Sequence, residues 1–561
     1  MRQKLVPKTV TVIQEGLSSS RMLQDAMAGL SVAMVALPLS LAFAIASGAK
    51  PEQGWITAIV AGFLISLLSG SRVQIGGPTG AFIVIIDSVI RKHGYDGLAM
   101  ATMMAGGLLV VMGLFRLGSF IKFIPYPLTV GFTSAIAILI FVAQINDFLG
   151  LGLSSLPVNF IDKCCDLARH AAAWNPQALV TGLISLGLMA FWPKVSKKIP
   201  GTIVAILIAT ILVHALAWPV ETIGSRFGTL PASLPAPRLP VIDFEHMRDL
   251  IPEAFTIAIL AAIVSLLSAL VADGMTGHRH RSDMEILAQG IANMVTPLFC
   301  GLPAMGAVAR TTTNIRHGGR TPVAGMVHAL VLLAILILCA RWVSYIPMPT
   351  MSAVIMMVAY NMFDWKTLAS VFRAPSGDVL ILLNTFFLTI FASLTTAIEV
   401  GIVLASLYFM KKMSDVSGIS CITRNLEEES ADPYSLKHRK LPDGVEVFEI
   451  EGAFFFGVAD KFRDTLGVSA HHPKVLILRL RHVPYIDATG TRMLEEFVRN
   501  SQAAGTHLIF SGVHGALSHA LKRSGIESRI GVGNILPDID AAIERARILI
   551  AEAPAPGPLQ R

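Results

Sequence analysis

Long apolar stretches alternate with short polar ones almost from the start of the chain, and most are too long for the helices of a soluble protein. They fall near 25–47, 54–70, 78–92, 97–115, 125–148, 176–193, 200–218, 252–272, 284–300, 308–317, 320–343, 349–362, 376–393 and 396–413, about fourteen in all and several of them short. The pattern predicts a polytopic α-helical membrane protein. Past Lys411 and Lys412 the period changes. "VEVFEIEG", "KVLILRL" and "THLIFSG" are short β-type runs, and "ADKFRDTLG", "TGTRMLEEFVRN" and "HGALSHALKRSG" between and after them carry helical spacing. A soluble α/β domain of roughly a hundred residues, large enough for its own core, therefore follows the membrane part. The expected boundaries are a polar segment at 1–22, a transmembrane domain at 23–413, a mobile linker at 414–440, the α/β domain at 441–550 and a disordered Pro/Ala-rich tail at 551–561.

Composition agrees with this reading. Of 561 residues, 53% are hydrophobic and 15% charged, and the mean hydropathy is +0.63, which excludes a soluble protein of this length. The net charge of +7 and a pI near 9.2 do not point to nucleic acid, because the basic residues sit in short clusters between apolar spans. With a cytoplasmic N-terminus, the inner loops collect Arg72, Arg116, Lys122, Lys194, Lys197, Lys198, Arg279, Arg281, Arg316, Arg320, Lys366 and Arg373, while the outer loops are poorer. An even number of spans with both ends inside is favoured, against Arg91 and Lys92 on one outer loop. The run "GHRHR" at 277–281 fits the same topology-setting role better than metal binding. Five cysteines, two of them adjacent at Cys164 and Cys165, give neither a disulfide framework nor metal-ligand spacing. No metal or cofactor is expected. The first apolar segment is too long for a signal peptide and should remain as a span.

Two interruptions carry the chemistry. "VQIGGPTGAFIVI" at 73–85 and "CGLPAMGAVARTTTNI" at 300–315 break apolar sequence with Gly and Pro, and irregular backbone at membrane depth survives only inside the protein or beside a watery cavity. Pro78 lies about 53 residues after the start of the first span and Pro303 about 51 after the start of the eighth. Corresponding breaks in two halves are the mark of an inverted-repeat transporter. Helix N-termini at such breaks present unpaired amides and partial positive charge, which suits an anion. Gly77 and Gly80 would allow close approach, Pro78 would occupy a first-turn position that needs no amide, and Thr79 adds a hydroxyl. Ala307, Val308 and Ala309 offer backbone with little bulk, and Arg310 adds charge. Two readings stand for Arg310: a charge facing the anion, or a side chain that snorkels or pairs with an acid such as Glu399.

"ALPLSLAFAIASG" at 36–48, "GGPTGAF", "LAQGIANMVTPLFCGLPAMGAVARTTTNIRHGGRTPVAG" and the trailing α/β domain together resemble the SulP anion-transporter family, whose animal relatives include prestin. The resemblance spans nearly the whole chain. It implies two inverted seven-span repeats forming core and gate domains, a homodimer, a cytoplasmic STAS domain, and secondary transport of a small anion such as sulfate, bicarbonate, chloride or a dicarboxylate. Carried over by position, it implies an anion site of Phe43, Thr79, Gly80, Ala309 and Arg310. Bacterial members generally place an acidic residue just before "SLLSA", where it is thought to couple transport to sodium or protons; here Val264 stands there, with Ser268 matching a helping hydroxyl. Exchange or facilitated uniport is therefore expected, in a bacterial inner membrane. The alternatives are sodium- or proton-coupled symport, with Glu399 or Asp87 standing in for the carboxylate, or a membrane-anchored STAS signalling scaffold. In the STAS turn "YIDATGTRMLEEF" at 485–497, Asp487 should cap a helix, and Ala488 replaces the serine that is phosphorylated in anti-sigma antagonists.

Overall fold

The computed structural model describes residues 5–118, 125–153, 156–196, 199–240, 247–421, 439–458 and 473–552. The chain divides into two compact units, Met1–Ala405 and Ser406–Arg561.

The first unit is helical. A short α1 (Lys8–Glu15) precedes α2 (Ser19–Ala46) and α3 (Pro51–Leu68). A two-residue strand β1 (Gly76–Gly77) leads into α4 (Ile83–Leu114). Then come α5 (Tyr126–Ala143), α6 (Ile145–Leu149), α7 (Phe160–Arg169), α8 (Pro176–Val195), α9 (Gly201–Ala215) and α10 (Ile223–Phe227). The second half holds α11 (Ile251–Thr276), α12 (Ser282–Val295), β2 (Met305–Gly306), α13 (Val308–Arg316), α14 (Val323–Val343), α15 (Met348–Met362), α16 (Trp365–Val371), α17 (Ser376–Phe391) and α18 (Leu394–Val416).

Among the described residues, eight helical stretches are long and apolar enough to cross a membrane. The expected third and fourth segments are merged into one such stretch, Gly80–Leu114, with a break in helical geometry at Gly94 (φ 67°, ψ −172°). The expected ninth and tenth segments are shorter, because the chain leaves helical geometry between them to form β2.

Helices pack through small residues, as membrane interiors favour. Where α4 crosses α12, a methyl at Gly106 would lie 2.8 Å from the Gly290 carbonyl oxygen, and one at Gly290 would lie 2.7 Å from the Val110 amide. Buried side chains then fix the polar turns. Asp25 on α2 accepts from the amides of Arg320 (2.7 Å) and Thr321 (3.1 Å) and from the Thr321 hydroxyl, holding the turn that opens α14.

The second unit is a five-stranded sheet in the order β3 (Gly418–Cys421), β4 (Val445–Glu451), β5 (Val475–His482), β6 (His507–Ser511) and β7 (Ile535–Leu536). β3 is antiparallel to β4, and the remaining pairs are parallel. β4, β5 and β6 are buried on both faces, one face covered by α19 (Ala488–Ala503), α20 (Gly515–Arg523) and the short α21 (Ile526–Ile530), the other by α22 (Ile539–Glu552). Residues 418–421 sit inside the segment expected to be a mobile linker, yet they add an edge strand because β4 offers an unpaired side. At the start of the same segment, 414–416 continue α18 as helix rather than linker, whereas residues 422–438, the helix expected at "ADKFRDTLG" and the tail beyond residue 552 lie outside the described residues. Asp487 caps α19 through the Gly490 amide at 2.7 Å, as expected, and its second oxygen accepts from the Phe456 amide at 3.2 Å.

Candidate functional site

The two interruptions meet. β1 and β2 pair antiparallel, Gly76 opposite Gly306 and Gly77 opposite Met305, and the Ala307 amide donates to the Ile75 carbonyl at 2.9 Å. Backbone that cannot be helical at this depth thus satisfies itself across the two halves of the unit.

Side chains from neighbouring helices peg both breaks. On the first, Glu285 of α12 is fully buried and accepts from the Ser69 hydroxyl and from the amides of Gly70 (3.0 Å) and Ser71 (3.2 Å), while Gln289 donates to its other oxygen at 2.8 Å. Asn314 of α13 donates to the Val73 carbonyl at 2.9 Å, and the Thr311 hydroxyl accepts from the Ile75 amide at 3.1 Å. On the second, the Thr57 hydroxyl accepts from the Leu302 amide, Asn293 exchanges two bonds of 2.8 Å with Ala304, and the Ser265 hydroxyl accepts from the Gly306 amide at 2.9 Å. Replacing Glu285 with alanine strands several buried donors, each costing on the order of 1–3 kcal/mol if left unpaired. A marked fall in the thermal midpoint of the detergent-solubilised protein is expected; an unchanged midpoint would remove Glu285 from this framework.

Arg310 stands in the first turn of α13 and is only 2% exposed. Its Nη2 donates to the Pro78 carbonyl at 3.0 Å, and its Nη1 has no hydrogen-bond partner. Among the described residues it forms no ion pair, so the pairing with Glu399 does not occur. Glu399 is exposed on α18, where the neighbouring Gly401 packs against Leu128 and Thr385. The Arg310 guanidinium occupies the space a side chain at Gly77 would take, and Gly77 has φ +147°. Gly77 therefore makes room for Arg310 rather than for a ligand. Pro78 also differs from expectation: Thr79, not Pro78, precedes the first helical turn at Gly80–Phe82, and Pro78 contributes its carbonyl.

Four of the five expected anion-site residues are brought together. A methyl at Gly80 would lie 3.5 Å from the Phe43 ring and 3.1 Å from the Met362 sulfur, so α2, α4 and α15 converge there. Thr79 is next in the chain, half-buried, and its hydroxyl oxygen has no partner. Arg310 reaches the same turn through Pro78. Ala309, exposed in the first turn of α13, is placed by its neighbour. The first turns of both helices leave amides without intrahelical acceptors.

Val264 is half-buried on α11 beside the buried Ser265 and one turn from the buried Ser268. The Ser268 hydroxyl donates to Thr311 at 3.3 Å, and Gln74 donates to the Ser265 carbonyl at 3.1 Å while its own carbonyl oxygen has no partner. Among the described residues this hydrogen-bonded group is neutral throughout. Asp87 accepts from Arg91 at 2.8 Å and lies apart from it, one helical turn up α4.

Sequence reasoning missed the pegs Thr57, Gln74, Glu285, Asn293 and Asn314, and it missed His328, fully buried on α14 with both ring nitrogens unpartnered. A signal existed for some of them: Glu285, Gln289 and Asn293 recur every four residues, a polar stripe along one face of an otherwise apolar segment.

Paired broken helices around a buried arginine, inside a multi-pass helical unit, define a membrane transporter rather than an enzyme. Residues 22–385 match the sulfate permease family and residues 439–542 match the STAS domain, and the chain belongs to that family. It is 38% identical to the proposed sulfate transporter YvdB of Bacillus subtilis (strain 168) over 92% of this chain and 96% of that protein. It is 27% identical to the bicarbonate transporter BicA of Picosynechococcus sp. over 93% and 94% of the two chains. The structure of the murine Slc26a9 anion transporter superposes with a TM-score of 0.87 at 16% identity, covering 97% of this chain and 94% of that one, which establishes a shared fold. The family and these relatives make the protein an anion transporter embedded in a membrane.

Proposed function

We propose that the chain carries a small anion (sulfate, bicarbonate, chloride or a dicarboxylate) by alternating access, as exchange or facilitated uniport, through a site formed by Phe43, Thr79, Gly80, Ala309 and Arg310. The observation that supports this reading best is the buried guanidinium with an unpartnered Nη1 at the meeting of two helix N-termini. An unpaired charge inside a low-dielectric unit is costly, and an anion neutralises it while accepting from Nη1, Thr79 and the free amides together. The Phe43 ring can turn its positive edge to the same anion. We assign the protein to the bacterial inner membrane as a homodimer with both termini cytoplasmic, and place the transporter domain at 23–413 and the STAS domain at 441–550.

The exchange mode rests on Val264. An apolar side chain at this position, beside a neutral hydroxyl and amide group, supplies no negative charge to hold a cation. The empty site is then net positive and the loaded site closer to neutral, so the loaded carrier crosses more readily. Uptake into proteoliposomes is expected to be stimulated by internal anion and to change little when a sodium or pH gradient is imposed. Val264→Glu should weaken anion binding or make it depend on sodium or acid. Strong sodium-driven accumulation by the unmodified protein would overturn the exchange reading and move attention to Glu399.

A further inference from the structure

A polar cavity of about 630 Å³ opens near the C-terminal end of α2. Its lining includes Ile45, Ala46 and Gly48 of the α2 end, Asp87 and Arg91 of α4, and, across from them, Asp147, Lys163 and Arg226. Phe43 is less than one helical turn from Ile45 and Ala46, and Asp87 is about 10 Å along α4 from Gly80 at 1.5 Å per residue. The cavity therefore lies about two helical turns along the chain from Gly80, and none of the five proposed anion-site residues is part of its lining.

Its charges are not used alike. Arg226 is saturated by two carboxylates, Asp147 at 2.8 and 2.9 Å and Glu221 at 2.9 and 2.5 Å. Arg91 takes Asp87 at 2.8 Å and donates to the Leu156 carbonyl at 2.9 Å. Lys163, on the amphipathic α7, is 9% exposed and lines the cavity, and its ammonium forms no hydrogen bond or ion pair among the described residues. Burial holds that ammonium below the usual lysine range, with Arg91 adding to the effect and Asp87 opposing it. Arg91 and Arg226 are committed to carboxylates, so the Lys163 ammonium is the lining cation left to meet an anion entering the cavity.

We infer that Lys163 is the centre of an anion-capture site at the mouth of the transport route, taking a small oxyanion or halide before it reaches Arg310. The remaining lining sets two arginines against three carboxylates and is net negative by one charge, so Lys163 gives a shallow well rather than a trap, as an entrance needs if the anion is to move on. The inference rests on the transport reading above only for its direction of travel; binding at Lys163 stands on the cavity itself.

Two measurements on the full chain in proteoliposomes test it. The first is footprinting of the unmodified protein with a membrane-impermeant amine-acylating reagent, read by mass spectrometry, in sulfate, chloride or gluconate at equal ionic strength. Lys163 is expected to be protected several-fold by sulfate or chloride relative to gluconate, while Lys92, whose side chain is 59% exposed, is not. Protection no greater at Lys163 than at Lys92 overturns the site. The second is initial uptake of labelled sulfate or bicarbonate, whichever the unmodified protein carries, from the face that bears this cavity. Lys163→Met should raise the KM about five- to tenfold with the maximal rate within about twofold, by the tenfold-per-1.4 kcal/mol relation, and Lys163→Arg should restore it. An unchanged KM, or an equal change for anion presented from the opposite face, overturns the capture role. If the unmodified protein carries none of sulfate, bicarbonate, chloride or a dicarboxylate, the transport reading fails while the footprint still decides whether Lys163 binds anions.

Discussion

Arg310→Ala is expected to cut anion uptake to the background of empty liposomes at low substrate, with a folded protein remaining. The substitution removes the fixed cation of the proposed site and the Nη2 bond to Pro78, while the β1–β2 ladder and the pegs around it do not depend on the side chain. A charge-assisted contact contributes roughly 1.5–3 kcal/mol, which is about tenfold to a hundredfold in affinity. The loss should therefore appear first as a raised KM. Arg310→Lys should fall between, since a lysine keeps the charge but not the planar fork that can hold Pro78 with one nitrogen and leave another free. Size-exclusion and thermal profiles of the purified variant provide the folding control. Uptake kinetics equal to those of the unmodified protein would remove Arg310 from the site.

The second large effect is expected at Gly77, a residue that touches no anion in this reading. Its φ of +147° disfavours any L side chain, and even a methyl group would collide with Nη1 of Arg310. Gly77→Ala should therefore displace the guanidinium, lower uptake by about tenfold or more, and add backbone strain of about 1–3 kcal/mol. The coupling has a distinctive test. With Arg310 already truncated, the methyl meets no guanidinium, so Gly77→Ala in the Arg310→Ala background should cost transport nothing further and only the backbone strain in stability. A double variant whose transport defect equals the product of the two single defects would show that the residues act independently.

The hydrophobic pattern alone determined that the chain is a polytopic membrane protein with a soluble α/β domain, because twenty-residue apolar runs and alternating β runs obey local rules that hold before any packing occurs. It also located both breaks, since clustered Gly and Pro free backbone groups that hydrocarbon cannot satisfy, and the chain must therefore turn them toward protein or water. The chemical types at Thr79, Gly80 and Arg310 were legible for the same reason. Only the tertiary structure decided what these groups meet. Gly77 proved to accommodate Arg310, Pro78 to offer a carbonyl, and Glu399 to lie exposed on α18, facts that depend on how segments more than two hundred residues apart approach each other. Spacing along the chain carries no information about such approaches. Likewise, Glu285 reads in sequence as one acid at the edge of a span, and Lys163 as one of many basic residues in a loop. Burial and the presence or absence of a partner separate them: Glu285 is saturated by donors from a turn on the other side of the unit, and Lys163 is enclosed beside arginines that are already paired. A group's role in a low-dielectric interior is set by what neutralises it, and that is fixed only when the chain has folded.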